Sequence, residues 1–361
     1  MPTQRSVCTL GRTLDQTECL WLVLLLTSTF GFICQKAYAQ DCAPCATNTV
    51  VEEPVSTVEW LMTKQVNEVN VHFVATRNGK PIAGLSRNDI SVRDDGKPPK
   101  AILRFQTEPE LPLRIGVAID TSTSVTSRFR FEQAAASSFF HQTVHRERDL
   151  GFVLGFSDHP QVTQDFVDDP SLLSQGVERL TIGGGTALFD AVRDACKKLR
   201  NRPEQDMVAR VLVVLSDGDN NAGEVTLERA IDAAQEAEVT IYTISTNYKT
   251  MSSGAPNLAA DRDNSNLRKL AEQTGGRVLF PSHPKDVAKA FVKIGEELRS
   301  RYAVSYKPAD FMPDGRYRKI KIEARKMGAK LEIRARKGYY ARAASWLSSD
   351  SPEEIRTSSL R

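Results

Sequence analysis

Ile115-Gly116-Val117-Ala118-Ile119 runs without a polar side chain and stops at Asp120. An unbroken apolar run of this length, rich in β-branched residues, predicts a strand covered on both faces, as in a parallel sheet. A second run, Val211 to Leu215, ends in Ser216-Asp217. Two doubly covered strands commit the chain to an α/β layer structure, and ligands of open α/β sheets collect at the carboxyl ends of the strands. Asp120 and Asp217 are therefore expected on the edge of the sheet where binding chemistry is found.

Hydroxyl groups surround those ends. Asp120-Thr121-Ser122-Thr123-Ser124 puts a carboxylate and two serine hydroxyls at alternate positions of one loop. Gly183-Gly184-Gly185-Thr186 is a glycine loop opening a helix, with a threonine hydroxyl at its start. Donors that are all oxygen and carry little total charge suit a hard cation such as Mg²⁺. Any one of these pieces alone reads as ordinary capping, since Ser and Thr cap helices and Asp often ends strands. The three in order, D-x-S-x-S, then T, then D on separate loops, resemble the metal-ion-dependent adhesion site of the von Willebrand factor A (VWA) family.

Asp120, Ser122, Ser124, Thr186 and Asp217 match that pattern, and Asp219 has a secondary role in orienting its loop. The resemblance covers roughly Leu111 to Arg301. It implies a doubly wound, mostly parallel sheet. It also implies a Mg²⁺ or Mn²⁺ ion, with Ca²⁺ less favoured. The serines and, depending on state, the threonine would bind the ion directly, and the aspartates directly or through water. One position is then left for an Asp or Glu carboxylate of a partner protein.

The rest of residues 111–301 alternates strands with helices, as βαβ units require. Helices are predicted over 129–144, 187–199, 226–237 with Thr226 as N-cap, 266–274 and 285–299. Strands are predicted over 150–156, over 161–166 as an antiparallel edge, and over 240–244. Asn247 to Asn264 reads as a polar loop.

Both flanks read as β. In 57–108, Val69, Val71, Phe73 and Ala75 alternate, Asn78-Gly79 and Asp95-Gly96 are turn signals, and 101–105 is a final strand. In 302–341, Tyr302 to Tyr306 is a strand. Ile320, Ile322 and Ala324 then read with Leu331, Ile333 and Ala335 as a hairpin around Gly328, with one apolar and one basic face. An isolated hairpin is marginal in water, so the two flanks are expected to form one smaller split β-sandwich. The D-D-G-K stretch at 94–97 and the segment 334–340 are similar to signatures of a bacterial VWFA-related group of exported proteins common in acidobacteria. The Ser-rich segment 342–361 is expected to be disordered.

Arg5 and Arg12, the apolar stretch from Leu20 to Ile33, and Ala37-Tyr38-Ala39 read as a signal peptide over 1–39, with Gln40 as the mature start and 40–56 as a polar leader. A periplasmic or secreted protein follows, with no membrane span in the mature chain; the alternative is that the apolar stretch stays uncleaved as an anchor. Cys42 and Cys45 suit a local disulfide or an intermolecular link, and lone Cys196 suits the core. A formal net charge of +3 over 361 residues argues neither for nor against an acidic partner, and composition does not suggest nucleic acid. The basic face from Arg316 to Lys337 is read as solvated.

Other site patterns fall short. Asp217 to Asn221 with Glu228 has EF-hand-like spacing, but Ala222 stands where glycine is needed. His141 and His145 lie four apart, but no third ligand is evident, and Gln142 replaces a metalloprotease base. No nucleophile–base pair and no acid/base dyad is found, so the chain is read as a binding module rather than an enzyme. The alternatives are a metal-indifferent structural subunit of an envelope or secreted assembly and, last, a metal-using hydrolase.

Overall fold

A computed structural model describes residues 68–107, 111–204, 207–248 and 258–341, without the side chains of 258–262. All of these lie in one unit, Thr63–Arg361. The expected signal peptide, leader, Cys42, Cys45 and the tail 342–361 lie outside the described residues.

The chain enters on β1 (Val69–Arg77), where Val69, Val71, Phe73 and Ala75 are buried. Asn78 and Gly79, with φ of 53° and 73°, turn it into the short β2 (Lys80–Pro81). Two positive φ values in succession suit the right-handed twist of a hairpin. β3 (Ile90–Asp94) alternates buried and exposed residues, Asp95-Gly96 turns in the same way, and β4 (Ala101–Thr107) follows.

The central sheet begins at β5 (Leu113–Asp120), whose eight residues are all buried. It continues through β6 (Leu150–Phe156), β7 (Pro160–Val167), β8 (Ala209–Ser216), β9 (Val239–Ser245) and β10 (Val278–Leu279). The strand order is β10-β9-β8-β5-β6-β7. All neighbours are parallel except β7, which runs antiparallel to β6. The chain moves outward from β5 in one direction and from β8 in the other, so their carboxyl ends flank the point where strand order reverses. Such a point leaves a crevice above the sheet.

Among the described residues six helices cover the sheet: α1 (Phe129–Thr143), α2 (Pro170–Glu178), α3 (Leu188–Asn201), α4 (Leu227–Glu236), α5 (Leu258–Thr274) and α6 (Val287–Leu298). One apolar cluster joins Phe139, Leu173 and Phe291 to Ile115, Val117 and Val213. Another joins Val192, Ala230 and Leu267 to Ala118, Phe152, Leu212 and Val214. Central strands thus bury both faces, which is why they carry no alternation. Thr226 caps α4, its hydroxyl accepting from the Arg229 N–H.

Two helices depart from expectation. α5 starts at Leu258, inside the expected polar loop, because Leu258-Ala259-Ala260 are strong helix formers ahead of its polar middle. α2 has no counterpart among the expected helices. Asp169 caps it by accepting from the Ser171 N–H, and Pro170 occupies its first turn.

The chain then forms β11 (Tyr302–Lys307), β12 (Tyr317–Lys326), β13 (Ala329–Lys330), β14 (Glu332–Ala335) and β15 (Gly338–Tyr340). One small sheet has the order β14-β1-β11-β4, and β2 pairs with β1. The other has β12 between β13 and β15, with β3 also on β12. Strands from both flanks therefore pair with one another, and Val71, Phe73, Tyr306, Ile320 and Ile322 share one apolar cluster.

The expected hairpin is corrected. β12 pairs with β13 at Arg325–Lys330 and Lys326–Ala329, and the Leu331 N–H still donates to the Ala324 carbonyl at 2.9 Å. The chain then crosses to the other sheet, where β14 pairs with β1. Leu331, Ile333 and Ala335 pack on the cluster common to both sheets, so alternation specifies their inward face but not their partner strand. The small sheets meet the central domain through polar contacts. Arg334 pairs with Glu297 of α6, which also accepts from the Tyr242 hydroxyl at 2.7 Å, and the Tyr340 hydroxyl donates to Asp232 of α4 at 2.8 Å. Among the described residues no helix is long and apolar enough to cross a membrane.

Candidate metal centre

Asp120, the last residue of β5, is fully buried. Its Oδ1 accepts the Ser122 N–H at 2.9 Å, and its Oδ2 accepts the Ser216 hydroxyl at 3.0 Å. The first bond closes a tight turn that carries the chain off the strand. The second ties β5 to β8 across the crevice. Ser122 Oγ lies 3.0 Å from Ser124 Oγ, and Ser124 Oγ donates to Asp217 Oδ2 at 3.2 Å. Ser122, Ser124 and Asp217 therefore form one hydrogen-bonded chain, and Asp120 is joined to it through the turn.

The glycine loop is laced to the same place by its backbone. The N–H and hydroxyl of Thr123 donate to the Gly184 carbonyl at 3.2 and 3.0 Å, and the Gly183 N–H donates to the Thr121 carbonyl at 2.9 Å. Gly184 has φ +78°, and a Cβ there would stand 2.3 Å from Asp158 Oδ2. Glycine is thus required both by conformation and by space. Thr186 is buried just before α3; its N–H donates to Asn221 Oδ1 at 2.8 Å, and its carbonyl accepts the Asn221 and Ala222 N–H groups.

The Asp219 carboxylate accepts from the Asn220 N–H and the Asn221 side chain at 2.8 and 2.9 Å, while its own N–H donates to Asp217 Oδ1 at 3.3 Å. These bonds shape the loop that holds Thr186 and present Asp217 at its base.

Sequence reasoning missed a second layer. Arg128, just before α1, donates from NH2 to Asp217 Oδ2 at 3.1 Å and to Thr246 Oγ1 at 3.2 Å. Its NH1 donates to the Ser124 carbonyl at 3.1 Å and its Nε to Glu132 Oε1 at 3.2 Å. The guanidinium lies 6.0 Å from the Tyr248 ring centre. The only signal in the sequence is the i,i+4 spacing of Arg128 and Glu132; nothing there links Arg128 to Asp217.

Burial sets the electrostatics. Desolvation pushes the Asp120 carboxyl up to about 6; the bonds from Ser122 pull the other way and the Asp217 charge adds to the rise. Glu132 is pushed up to about 8 by burial, with Arg128 opposing. Its Oε2 is buried with no hydrogen-bond partner among the described residues. The donor set fits a hard cation: it is all oxygen, and among the described residues Asp120 is a buried carboxylate without an ion-pair partner.

The remaining candidates stay apart from this place. His141 Nε2 lies 3.3 Å from the Ser174 hydroxyl, whereas His145 faces Asp149 and Arg299. Among the described residues no three His, Cys, Asp or Glu side chains converge as a metal-holding group. Cys196 is buried. In the basic segment, Lys321 pairs with Glu323 and Arg318 with Asp314.

Residues 115–291 match the family model of the von Willebrand factor type A domain. No curated protein matches the chain. Among solved structures, proximal thread matrix protein 1 of the mussel byssus, with a zinc-occupied MIDAS motif, is 17% identical over 57% of this chain and 49% of its own, with a TM-score of 0.44. The chain thus spans about half the length of that protein. A von Willebrand factor type A protein from Catenulispora acidiphila is 13% identical over 72% of this chain and 75% of its own (TM-score 0.42). The vWF domain of the type V pili tip protein Mfa5 from Porphyromonas gingivalis is 15% identical over 52% and 94% (TM-score 0.41).

Proposed function

We propose that the von Willebrand factor type A domain at residues 115–291 holds a divalent cation and docks a carboxylate of a partner protein on it. Asp120, Ser122, Ser124, Thr186 and Asp217 are the ligand set, with Asp219 shaping the last loop. Mg²⁺ or Mn²⁺ is favoured over Ca²⁺, because the set is small and mostly neutral. The observation that carries this reading is the hydrogen-bonded chain Ser122–Ser124–Asp217 above a fully buried Asp120, placed where strand order reverses.

Asp120 supplies the charge that holds the ion, and Ser216 and the Ser122 N–H keep its two oxygens aimed. With few anionic ligands, a bound cation offers an electrophilic position that suits an Asp or Glu side chain. We further read the six-stranded sheet as the doubly wound VWA fold and the two small sheets as one split β-sandwich. On this reading residues 1–39 direct export to the periplasm or beyond, and the protein works as an interaction module.

The test is thermal unfolding of the full chain with Mg²⁺, Mn²⁺, Ca²⁺ or EDTA, beside Asp120→Ala. A ligand that binds only the folded state raises stability by mass action, about 2.7 kcal/mol at a hundredfold excess over Kd. A metal-dependent rise in wild type that vanishes in the variant is expected. No rise at millimolar metal would overturn the metal reading in favour of a metal-indifferent interaction subunit.

A further inference from the structure

Arg128 places a guanidinium on an oxygen of the candidate ligand set, and nothing in the proposed function requires it there. Its NH2 donates to Asp217 Oδ2, the same oxygen that accepts the Ser124 hydroxyl. The side chain is held from four directions, by Asp217, Thr246, the Ser124 carbonyl and Glu132, and is only 14% exposed. A cation in this position and a divalent ion at the centre compete for the negative charge of Asp217.

A second seat for the guanidinium is already built. Glu132 is completely buried and, among the described residues, receives only the Arg128 Nε, on Oε1. Its Oε2 has no hydrogen-bond partner among the described residues. Arginine and carboxylate commonly pair through two parallel bonds, and a small shift of the guanidinium toward Glu132, with release to solvent of the proton that burial favours there, would complete such a pair. The Tyr248 ring, beside the guanidinium, would flank it in either seat.

We propose that Arg128 is an internal counter-cation that sets the metal affinity of the centre. Without a divalent ion it neutralises Asp217. When the ion binds, Arg128 yields Asp217 and completes its pair with Glu132. Arg128 is thus a positioning residue: it keeps two carboxylates at one crevice tolerable in the metal-free protein and weakens metal binding in return. This inference rests on the metal reading above.

The test measures Mn²⁺ binding by calorimetry on the full chain and thermal unfolding in EDTA, for wild type, Arg128→Gln, Arg128→Lys and the exposed neighbour Arg130→Gln. Arg128→Gln is expected to bind Mn²⁺ more tightly by about tenfold, the scale of one charge-assisted hydrogen bond, while its midpoint in EDTA falls. A purely structural arginine would lower both. Arg128→Lys keeps the charge and returns the affinity toward wild type. Arg130→Gln stays at the wild-type affinity, so a loss of positive charge in general is not the cause.

Glu132→Gln removes the second seat and is expected to bind Mn²⁺ more weakly without a lower midpoint in EDTA. It carries the test if Arg128→Gln does not fold. Arg128→Gln binding no tighter than a wild type that does bind Mn²⁺ overturns the role of Arg128 alone, as does undiminished binding by Glu132→Gln. Binding by no variant overturns the metal centre, and this inference with it.

Discussion

Asp120→Asn is expected to stabilise the metal-free protein while abolishing its response to metal. Burial raises the Asp120 carboxyl from its ordinary 3.8 to about 6. At about 1.4 kcal/mol for each pH unit of that rise, ionised Asp120 costs the fold about 3 kcal/mol above pH 6. The sign follows from the raised value. The folded chain binds the proton more readily than the unfolded chain, so this contribution is complete below about pH 4 and is lost as pH rises through 6. Asparagine keeps the shape and still accepts the Ser122 N–H, without the charge.

The gain is not complete, because Ser216 Oγ donates to Asp120 Oδ2 while accepting from the Gly218 N–H. An amide NH₂ in place of Oδ2 forfeits that donation, at about 1 kcal/mol. The net gain in EDTA at pH 7.5 is therefore about 2 kcal/mol, or roughly 4–8 °C in Tm for a domain of this size. Urea and thermal unfolding of both proteins in EDTA, from pH 4 to pH 8, test it. Wild type should fall relative to the variant between pH 4 and 7, and the curves should cross at about pH 4.5, where the cost of ionisation equals the forfeited hydrogen bond. With saturating Mg²⁺ the order should reverse, since only wild type gains from the ion. A variant less stable than wild type in EDTA at pH 7.5, or a gap that ignores pH, would refute the reasoning.

Two further outcomes test the frame around the site. A Cβ on Gly276 would stand 1.9 Å from the Ile241 carbonyl oxygen of β9; Gly276→Ala should cost roughly 1–3 kcal/mol or more, and an unmoved urea midpoint would refute a close packing of Gly276 on β9. Cys196 is buried in the cluster under α3, and burial pushes its thiol far above the ordinary range. Alkylation of Cys196, followed by peptide mass spectrometry, should track global unfolding in urea; rapid labelling of the native protein would mean that α3 opens locally.

What is legible in the chain divides by range. The strands β5 and β8 announce themselves, because residues covered on both faces must be apolar without interruption. Their order in the sheet is not legible, since βαβ alternation fixes the hand of each crossover but not the point at which the order reverses. The three loops with Asp120, Ser122, Ser124, Thr186 and Asp217 are legible as well, since each follows a strand or a glycine turn that its own residues identify. Local composition failed where it had two answers. Leu258-Ala259-Ala260 could begin a helix or end a loop, and α2 is short, with Gly176 in its interior. Alternation at Leu331, Ile333 and Ala335 names an inward face but not an edge, and the pairing of β14 with β1 spans some 260 residues.

Arg128 is the sharpest case of this limit. It lies within four residues of both Ser124 and Glu132, but the contact that gives it meaning reaches Asp217, across 89 residues. A motif records the groups that would face a ligand, because those must recur at fixed spacing on their loops. A counter-charge has no such constraint, since any element passing within reach of the crevice can supply it. The groups proposed to bind the ion are therefore written in the sequence, whereas the group proposed to tune them becomes visible only in the folded chain.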